Sequence, residues 1–401
     1  MFKLFRRPNA NSLLIGLAVS LLVLSSATFL SIRFSAYFNL LLGALALLMF
    51  ASSRHAFGMP LKKGELAFLC AFWVASAFGV VFNEMEPALV TEVSLLFVKI
   101  LFFYLLSLHI VNSKFDFLGY AANFIYWTSL ISTSAYVLIY ILGVDFLPYV
   151  EMGDLRTYGY VVGGYGNDIA AFSGFYRNSG YFYEPGVFAV FLTFALFVYL
   201  YDSRSYVRSL VISVVIMTTF SYVGVAIAMG LWALALFFGK KISSKIVGII
   251  FVCVSLLWFL GSSSLLEKGS TTSFELREGD IRTSMELFFA KPIFGWGLLN
   301  DSQFRELNLS RYLIGRSSSN GVLSLLYQGG VIGFTLVFWI CVRATFFFRK
   351  WGPVLAFLLW LFLSLVAQNI VFSNFFIVLI VVANTAKSRR DNSKGRAQGA
   401  I

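Results

Sequence analysis

The stretch ALVTEVSLLFVKILFFYLLSLHIV at residues 88–111 decides the fold class, because Glu92 and Lys99 are its only acidic or basic side chains apart from one histidine. A helix that crosses a bilayer needs about 20 mostly apolar residues. Similar stretches recur along the chain, which is 59% hydrophobic and 12% charged, whereas a soluble domain carries about 25% charge. The sequence therefore predicts an all-α polytopic membrane protein, with a single integral membrane domain over residues 1–401.

About twelve transmembrane helices are predicted from stretches of this kind. Their bounds are residues 12–31, 35–51, 65–82, 88–111, 117–143, 186–202, 209–220, 222–239, 246–261, 321–345, 352–367 and 369–386. The apolar stretch over residues 209–239 is too long for one helix, and basic residues flank both of its ends. Flanks on the same side of a membrane require an even number of crossings, so the stretch is divided at Phe220–Ser221. Within the span over residues 88–111, Glu92 and Lys99 share one helix face and are expected to form a structural pair.

The distribution of Lys and Arg predicts the topology. The short connections on one side are rich in both residues, whereas those on the other side hold only Arg33. By the positive-inside rule, both termini are then cytoplasmic, with a basic tail over residues 387–401. Two long polar loops, over residues 144–185 and 261–320, are external. The net charge of +12 is scattered between apolar spans, so we expect contacts with membrane lipids and none with nucleic acid.

Cysteine and histidine are too few to suggest a metal site. The cysteines, Cys70, Cys253 and Cys341, all fall inside apolar runs, and the two histidines are His55 and His109. Protein zinc sites are built from several such ligands. We therefore expect no metal, no cofactor and no external disulfide.

The first long loop ends in YRNSGYFYEPG at residues 176–186, directly before a predicted span. Proline is favoured in the first turn of a helix, so Glu184 is expected at a helix N-terminus near the outer membrane interface. Two interpretations of Glu184 stay open: a capping carboxylate beside the helix dipole, or a general base beside the guanidinium of Arg177.

An earlier part of the same loop alternates tyrosine with glycine, in YGYVVGGYGND at residues 158–168. Tyrosine rings could pack against sugar rings, and glycine lets a backbone come close to a ligand. A mobile loop with aromatic residues at the membrane interface is the simpler interpretation, and we favour it.

The second long loop carries REGDIRTSMELFFAKPIFGWG at residues 277–297. Its apolar residues recur at helical spacing, which predicts an amphipathic interfacial helix that ends at Pro292. Arg282 is expected near the start of this helix, where an anion, or else Asp280 or Glu286, would have to pair with it. A serine run follows, and Asn320 at its end suits the N-cap of the next helix.

Taken together, these segments resemble the O-antigen polymerase and O-antigen ligase superfamily of bacterial surface-polysaccharide assembly. The matching stretches are Arg177–Gly186, Thr219–Ser221, the KPIFGWG segment after Arg282, and Ser319–Gly333. The resemblance implies a C-type glycosyltransferase-like architecture with two large periplasmic loops. It also implies metal-independent chemistry on undecaprenyl-diphosphate-linked glycan, as donor and acceptor, at the periplasmic face of the bacterial inner membrane. A chain-length regulator protein is a further expected partner.

The second loop departs from the ligase pattern. Ligases of this superfamily use a histidine there, and this chain has Ser318, Ser319 and Asn320 instead. The expected function is therefore that of a polymerase, which joins lipid-linked repeat units into O-antigen or a related surface polysaccharide. Two alternatives stay open: a ligase that transfers glycan to the lipid A core, and a polysaccharide-lipid flippase or transporter.

The residue types suggest roles in such a reaction. A polyprenyl diphosphate gains negative charge as the anomeric bond breaks, and fixed arginines would stabilise that charge. The predicted catalytic residues are Glu184 as the base and Arg177 and Arg282 at the diphosphate. The predicted substrate-binding residues are Arg156, Arg277, Tyr183, Asn320 and Tyr165. Because no second matched carboxylate is evident, the transfer is expected to invert the anomeric carbon.

Overall fold

The computed structural model describes residues 10–52, 87–152, 155–165, 176–203, 205–238, 248–255, 272–312 and 317–398. The span predicted over residues 65–82 lies outside these ranges. The span predicted over residues 246–261 is described only at 248–255, where it is helical. The second long loop is described from residue 272 onward, with a gap at residues 313–316.

Helices make up most of the described chain. They are α1 Ala10–Leu24, α2 Phe29–Ser52, α3 Pro87–Asn112, α4 Phe117–Tyr136, α5 Pro185–Tyr201, α6 Tyr206–Thr218, α7 Tyr222–Phe238, α8 Thr272–Ala290, α9 Ser302–Tyr312, α10 Gly321–Thr345, α11 Trp351–Ala367 and α12 Asn374–Gln398. A π-helical turn, Val137–Ile141, extends α4. Within the described ranges, 4 helical segments are long and apolar enough to cross a membrane, and several shorter apolar helices accompany them. This pattern is consistent with a helical membrane protein.

Helix α5 forms the centre of the bundle. Its sequence, PGVFAVFLTFALFVYLY, is apolar on every side and almost entirely buried. A helix that is hydrophobic all round is one that other elements surround. Helices α4, α6, α7 and α11 pack around it, and Trp360 of α11 donates its Nε1–H to the carbonyl oxygen of Val190 at 3.2 Å. The N-terminus of α5, directly after Glu184, is therefore held by the packed core.

The helix break predicted at Phe220–Ser221 is confirmed. Helix α6 ends at Thr218 and α7 begins at Tyr222, and Phe220 between them has a φ of +48°. The hydroxyl of Ser221 accepts a hydrogen bond from the backbone N–H of Gly224 at 3.2 Å. Serine at this position satisfies a donor that the first turn of a helix leaves unpaired.

The first long loop contains a small sheet, which the all-α prediction did not include. Strands β1 Tyr149–Met152, β2 Leu155–Tyr158, β3 Val162–Tyr165 and β4 Arg177–Gly180 are antiparallel in the order β1-β2-β3-β4. The tyrosine–glycine segment favoured as a mobile loop thus supplies a strand. Aromatic packing fixes the sheet on the end of α4, where the ring centroids of Tyr140 and Tyr176 are 4.7 Å apart. Strands of four residues are too short for their alternation to be distinctive in the sequence.

Helix α8 corrects the expected position of Arg282. The helix begins at Thr272 and ends at Ala290, so Arg282 lies in its middle and not near its start. The polar residues before Arg282 carry no apolar pattern, yet they extend the helix. Its end just before Lys291–Pro292 agrees with the prediction that proline stops it.

Lys99 also differs from its expected pairing. Its Nζ donates to the carbonyl oxygen of Phe372 at 3.2 Å and lies 5.8 Å from the ring centroid of Phe103, while Glu92 is exposed. A backbone carbonyl and an aromatic face therefore take the place of the expected carboxylate.

Candidate functional site

Arg177 connects the sheet of the first loop to the break between α6 and α7. It is the first residue of β4, and its Nε–H donates to the carbonyl oxygen of Thr219 at 3.3 Å. Across the sheet, the backbone of Arg177 pairs with Tyr165. A guanidinium has five N–H donors in a fixed plane, so the bond to Thr219 orients the group. Two segments of the resemblance, Arg177–Gly186 and Thr219–Ser221, are thereby in direct contact.

Asn178 fixes the strand on which Arg177 lies, and sequence reasoning missed it. Its side chain is fully buried. Its Nδ2 donates to the hydroxyl of Thr133 at 3.2 Å and to that of Thr218 at 2.9 Å, and its Oδ1 accepts from the N–H of Gly180 at 2.9 Å. A buried amide with these bonds locks β4 against α4 and α6. In the sequence, the Arg177–Asn178 dipeptide was the feature that could have indicated this role of Asn178.

The turn after β4 is tied to the connection between α1 and α2. The N–H of Tyr183 donates to the carbonyl oxygen of Ala27 at 3.2 Å, and the N–H of Phe29 donates to that of Tyr181 at 3.1 Å. Burial raises the pKa of the Tyr183 hydroxyl above its usual range, and the neighbouring carboxylate of Glu184 raises it further. Tyr183 is therefore a neutral hydroxyl beside Glu184 at every physiological pH.

Glu184 does not cap α5 with its side chain. It occupies the N-cap position in an extended conformation, with φ −137° and ψ 137°, and makes no side-chain capping hydrogen bond. Its Oε1 instead accepts a hydrogen bond from Nε2 of Gln368 at 3.2 Å. A Cβ atom on Gly186 would lie 2.3 Å from that same Nε2, so glycine at this position makes room for Gln368. The carboxylate therefore lies at the helix N-terminus without a capping hydrogen bond, and both interpretations of Glu184 stay open.

Gln368 and Asn369 connect Glu184 to the end of the second loop. Nδ2 of Asn369 donates to the hydroxyl of Ser324 at 3.2 Å, and the carbonyl oxygen of Gln368 packs against Gly321, where an added Cβ would lie 2.8 Å away. Asn320 caps α10 as predicted, because its Oδ1 accepts from the N–H of Leu323 at 3.0 Å. Glu184 and the segment around Asn320 are therefore neighbours through Gln368 and Asn369.

Asp280 holds α8 against the same segment. It is 2% exposed, and its Oδ2 accepts from the hydroxyl of Ser319 at 2.8 Å and from the N–H of Ser319 at 3.3 Å. Its Oδ1 accepts from Nδ2 of Asn308 at 3.5 Å. These bonds are typical of a carboxylate that positions a loop. Asp280 thus holds Ser319, the residue before Asn320, against α8.

The KPIFGWG segment docks onto a kink in α10. Gly330 lies at the kink with φ 60° and ψ −167°. Backbone N–H groups of Trp296 and Gly297 donate to the carbonyl oxygens of Tyr327 and Gln328, each at 2.8 Å. In return the N–H of Val331 donates to the carbonyl oxygen of Pro292 at 2.8 Å. The last two segments of the resemblance thus share a ladder of backbone hydrogen bonds.

Side chains fix the same junction. Asp301 accepts hydrogen bonds from the hydroxyl of Tyr327 and, at 2.6 Å, from Nε2 of Gln328. Oε1 of Gln328 accepts from the N–H of Leu299 at 3.1 Å. Because Tyr327 and Gln328 are buried, this network needs all of its partners to be stable.

Arg282 pairs with Glu278, and with neither of the expected acidic residues. The two side chains are one helical turn apart on α8, 2.6 Å from nitrogen to oxygen, and 71% and 49% exposed. Glu286 pairs instead with Arg311 at 2.7 Å, and this hydrogen bond lowers the pKa of Glu286. The spacing of Glu278 and Arg282 was visible in the sequence and is the usual spacing for helical ion pairs. The guanidinium of Arg282 thus faces solvent.

The structure describes the remaining predicted residues in less detail. Arg277 is an exposed residue of α8. Arg156 lies in β2, where its backbone pairs with Glu151 and Gly164. The side chains of Arg156 and Tyr165 are outside the described part of the structure. The contacts therefore connect Glu184 to the segment of Asn320 through Gln368, whereas Arg177 contacts Thr219.

Within the described ranges, no group of three or more His, Cys, Asp and Glu residues could hold a metal ion. No protein-family model matches the chain, and no curated protein matches it.

Proposed function

We propose that the chain is an O-antigen-type polysaccharide polymerase that joins undecaprenyl-diphosphate-linked repeat units by glycosyl transfer. The observation that carries this proposal is the contact between segments far apart in the sequence. Arg177 bonds to Thr219, Glu184 bonds to Gln368 beside Gly321, and the KPIFGWG segment bonds to the kink of α10. If these segments served only to form helices, no such contacts between them at one end of the bundle would be required.

The chemistry assigns each group a part. The acceptor hydroxyl attacks the anomeric carbon of the donor, its proton passes to Glu184, and the bond from that carbon to the diphosphate oxygen breaks. Arg177 and Arg282 stabilise the charge on the departing diphosphate. Gln368 keeps the Glu184 carboxylate at the start of α5, where the head group of a lipid substrate would lie. A single displacement inverts the anomeric carbon and needs no metal ion.

In this proposal, Arg282 contacts the diphosphate only when a substrate is bound. Its exposed ion pair with Glu278 is of the kind that contributes about 0–1 kcal/mol, so exchange for a diphosphate costs little. A phosphate offers the bidentate geometry that guanidinium groups favour. Arg277, Arg156, Tyr165 and Asn320 would bind the sugars and the remaining phosphate oxygens.

The finer architecture belongs to the same proposal. About twelve transmembrane helices would form a C-type glycosyltransferase-like bundle in the bacterial inner membrane, with both termini cytoplasmic. The loops over residues 144–185 and 261–320 would be periplasmic. Donor and acceptor are both lipid-linked glycans, and a chain-length regulator protein is the proposed partner.

Deletion of the gene in its host tests the function and separates it from the alternatives. A polymerase defect leaves single repeat units, both on the lipid carrier and on the final acceptor. Long glycan that stays on the lipid carrier would instead indicate a ligase. Single-repeat carrier confined to the cytoplasmic face, protected from enzymes added outside, would indicate a flippase. Either of these two results would overturn the proposal.

A further inference from the structure

A second site lies between α3, α10 and α12, away from Glu184. A cavity of about 160 Å³ opens there at the side of the bundle. Most of its walls are apolar, and they include Ile100, Phe376 and Ile380. Trp339, which is 63% exposed, stands at its rim. In a helical membrane protein, an apolar opening on this side faces the acyl chains of the lipids.

One end of the cavity is polar. Arg343 and Asn384 both line it, and Arg343 is in the last turn of α10. Among the described residues, the Arg343 side chain has no ion pair or hydrogen bond. Nδ2 of Asn384 donates to the carbonyl oxygens of Ile340 at 3.2 Å and Ile380 at 2.9 Å. Oδ1 of Asn384 is buried without a hydrogen-bond partner.

A bound ligand could supply a hydrogen-bond or ionic partner to both Arg343 and Asn384. A half-buried guanidinium beside apolar walls is costly unless an anion pairs with it. An orphaned buried acceptor costs about 1–3 kcal/mol until a donor reaches it. An anionic head group that also carries a hydroxyl satisfies both, and an acyl chain fills the apolar part. Free phosphate would leave that part empty, and an apolar helix would leave Arg343 unpaired.

We propose that this cavity binds an anionic phospholipid with a hydroxylated head group, such as phosphatidylglycerol. The phosphate accepts from Arg343, and the head-group hydroxyl donates to Oδ1 of Asn384. Helix α10 runs from Gly321, beside the candidate site, to Arg343 in its last turn. The kink at Gly330 divides this helix, and the cavity lies along its second part, away from Glu184.

Native mass spectrometry of the purified full chain tests this proposal by comparing phosphatidylglycerol with phosphatidylcholine. Arg343→Gln removes the charge at similar length, and Arg343→Lys keeps it. Arg349→Gln is the matched control, because it removes the same charge six residues further on, at an exposed position. Ile380→Trp fills the cavity. Size-exclusion profiles check that each variant is folded.

The wild type should retain phosphatidylglycerol at least about tenfold better than phosphatidylcholine. Arg343→Gln should abolish that preference, Arg343→Lys should keep most of it, and Arg349→Gln should not change it. Ile380→Trp should weaken both lipids. Equal retention of the two lipids by the wild type, or an unchanged preference in Arg343→Gln, would overturn the proposal. So would a dimer that Ile380→Trp dissociates, since a second copy would then occupy the cavity.

Discussion

Nε2 of Gln368 donates a hydrogen bond to Oε1 of Glu184 at 3.2 Å, across 184 residues of sequence. This bond joins the start of α5 to the end of α11, and its neighbour Asn369 reaches the hydroxyl of Ser324 on α10. Glu184 is therefore positioned by a helix end outside both long loops. Its role can be tested separately from that of a helix cap.

Gln368→Met should lower polymer formation by about tenfold or more while the chain still folds. Methionine fills a similar volume but cannot donate to Glu184, so the carboxylate is no longer held at the start of α5. Gln303→Met, on the half-exposed face of α9, is the matched control and should behave like the wild type. The measurement is the ratio of long to single-repeat glycan at equal protein level. Equal ratios in the two variants would remove Gln368 from the mechanism.

Substitutions at Arg282 and Glu278 distinguish two roles of Arg282: a structural ion pair and a contact with the substrate. If the pair only stabilises α8, Arg282→Gln and Glu278→Gln should have the same small effect, because exposed pairs contribute little. We expect Arg282→Gln to lose polymer formation and Glu278→Gln to keep it, with both melting temperatures near that of the wild type. Arg282→Lys should also lose activity, because an ammonium lacks the planar fork.

Arg177→Ala should likewise lose polymer formation, because it removes the second predicted contact to diphosphate. Wild-type polymer from either the Arg177 or the Arg282 alanine variant, at matched protein level, would contradict the assignment of these arginines.

Gly330→Ala should destabilise the protein. A strained backbone conformation alone costs about 1–3 kcal/mol, and a steric clash adds to that cost. Its φ of 60° is unfavourable for alanine, and a Cβ there would lie 2.3 Å from the carbonyl oxygen of Ile293. Gly333→Ala is the control, because no atom lies within 4 Å of its added Cβ. Thermal unfolding in detergent should show a lower midpoint for Gly330→Ala alone. Equal midpoints would mean that the KPIFGWG segment does not depend on the kink.

Hydropathy predicted most of the helices because the bilayer sets their length. Helices α3 and α10 match the predicted spans closely, and the break at Phe220 followed from the basic flanks. The short strands of the first loop did not follow, since their register depends on packing against Tyr140 at the end of α4. A local pattern of four residues carries little information about such tertiary contacts.

The site was only partly predictable for a related reason. Glu184 was identified because it directly precedes a Pro-Gly helix start near the membrane interface, and Arg177 because it is an arginine of the same loop segment. Gln368 was missed, since a lone glutamine at the end of a span belongs to no motif. Arg282 was placed at a helix start because the apolar spacing begins after it, although Glu278 already stood one turn earlier.

The predicted topology places both termini on one side and both long loops on the other. Reporter fusions that end after Lys394 and after Ser318 should therefore report opposite sides of the membrane, the first cytoplasmic and the second periplasmic. Both reporters on one side would contradict the proposed topology.

The most direct test of the account is the length of glycan that the purified chain makes from lipid-diphosphate-linked repeat units isolated from the host. The wild type should produce a ladder of many repeats. Glu184→Gln should produce none, although its amide oxygen can still accept from Gln368 and its stability should stay within about 0.5 kcal/mol. Glu184→Asp should keep a small residual activity. A normal ladder from Glu184→Gln would contradict the account and make Asp280 the next candidate base.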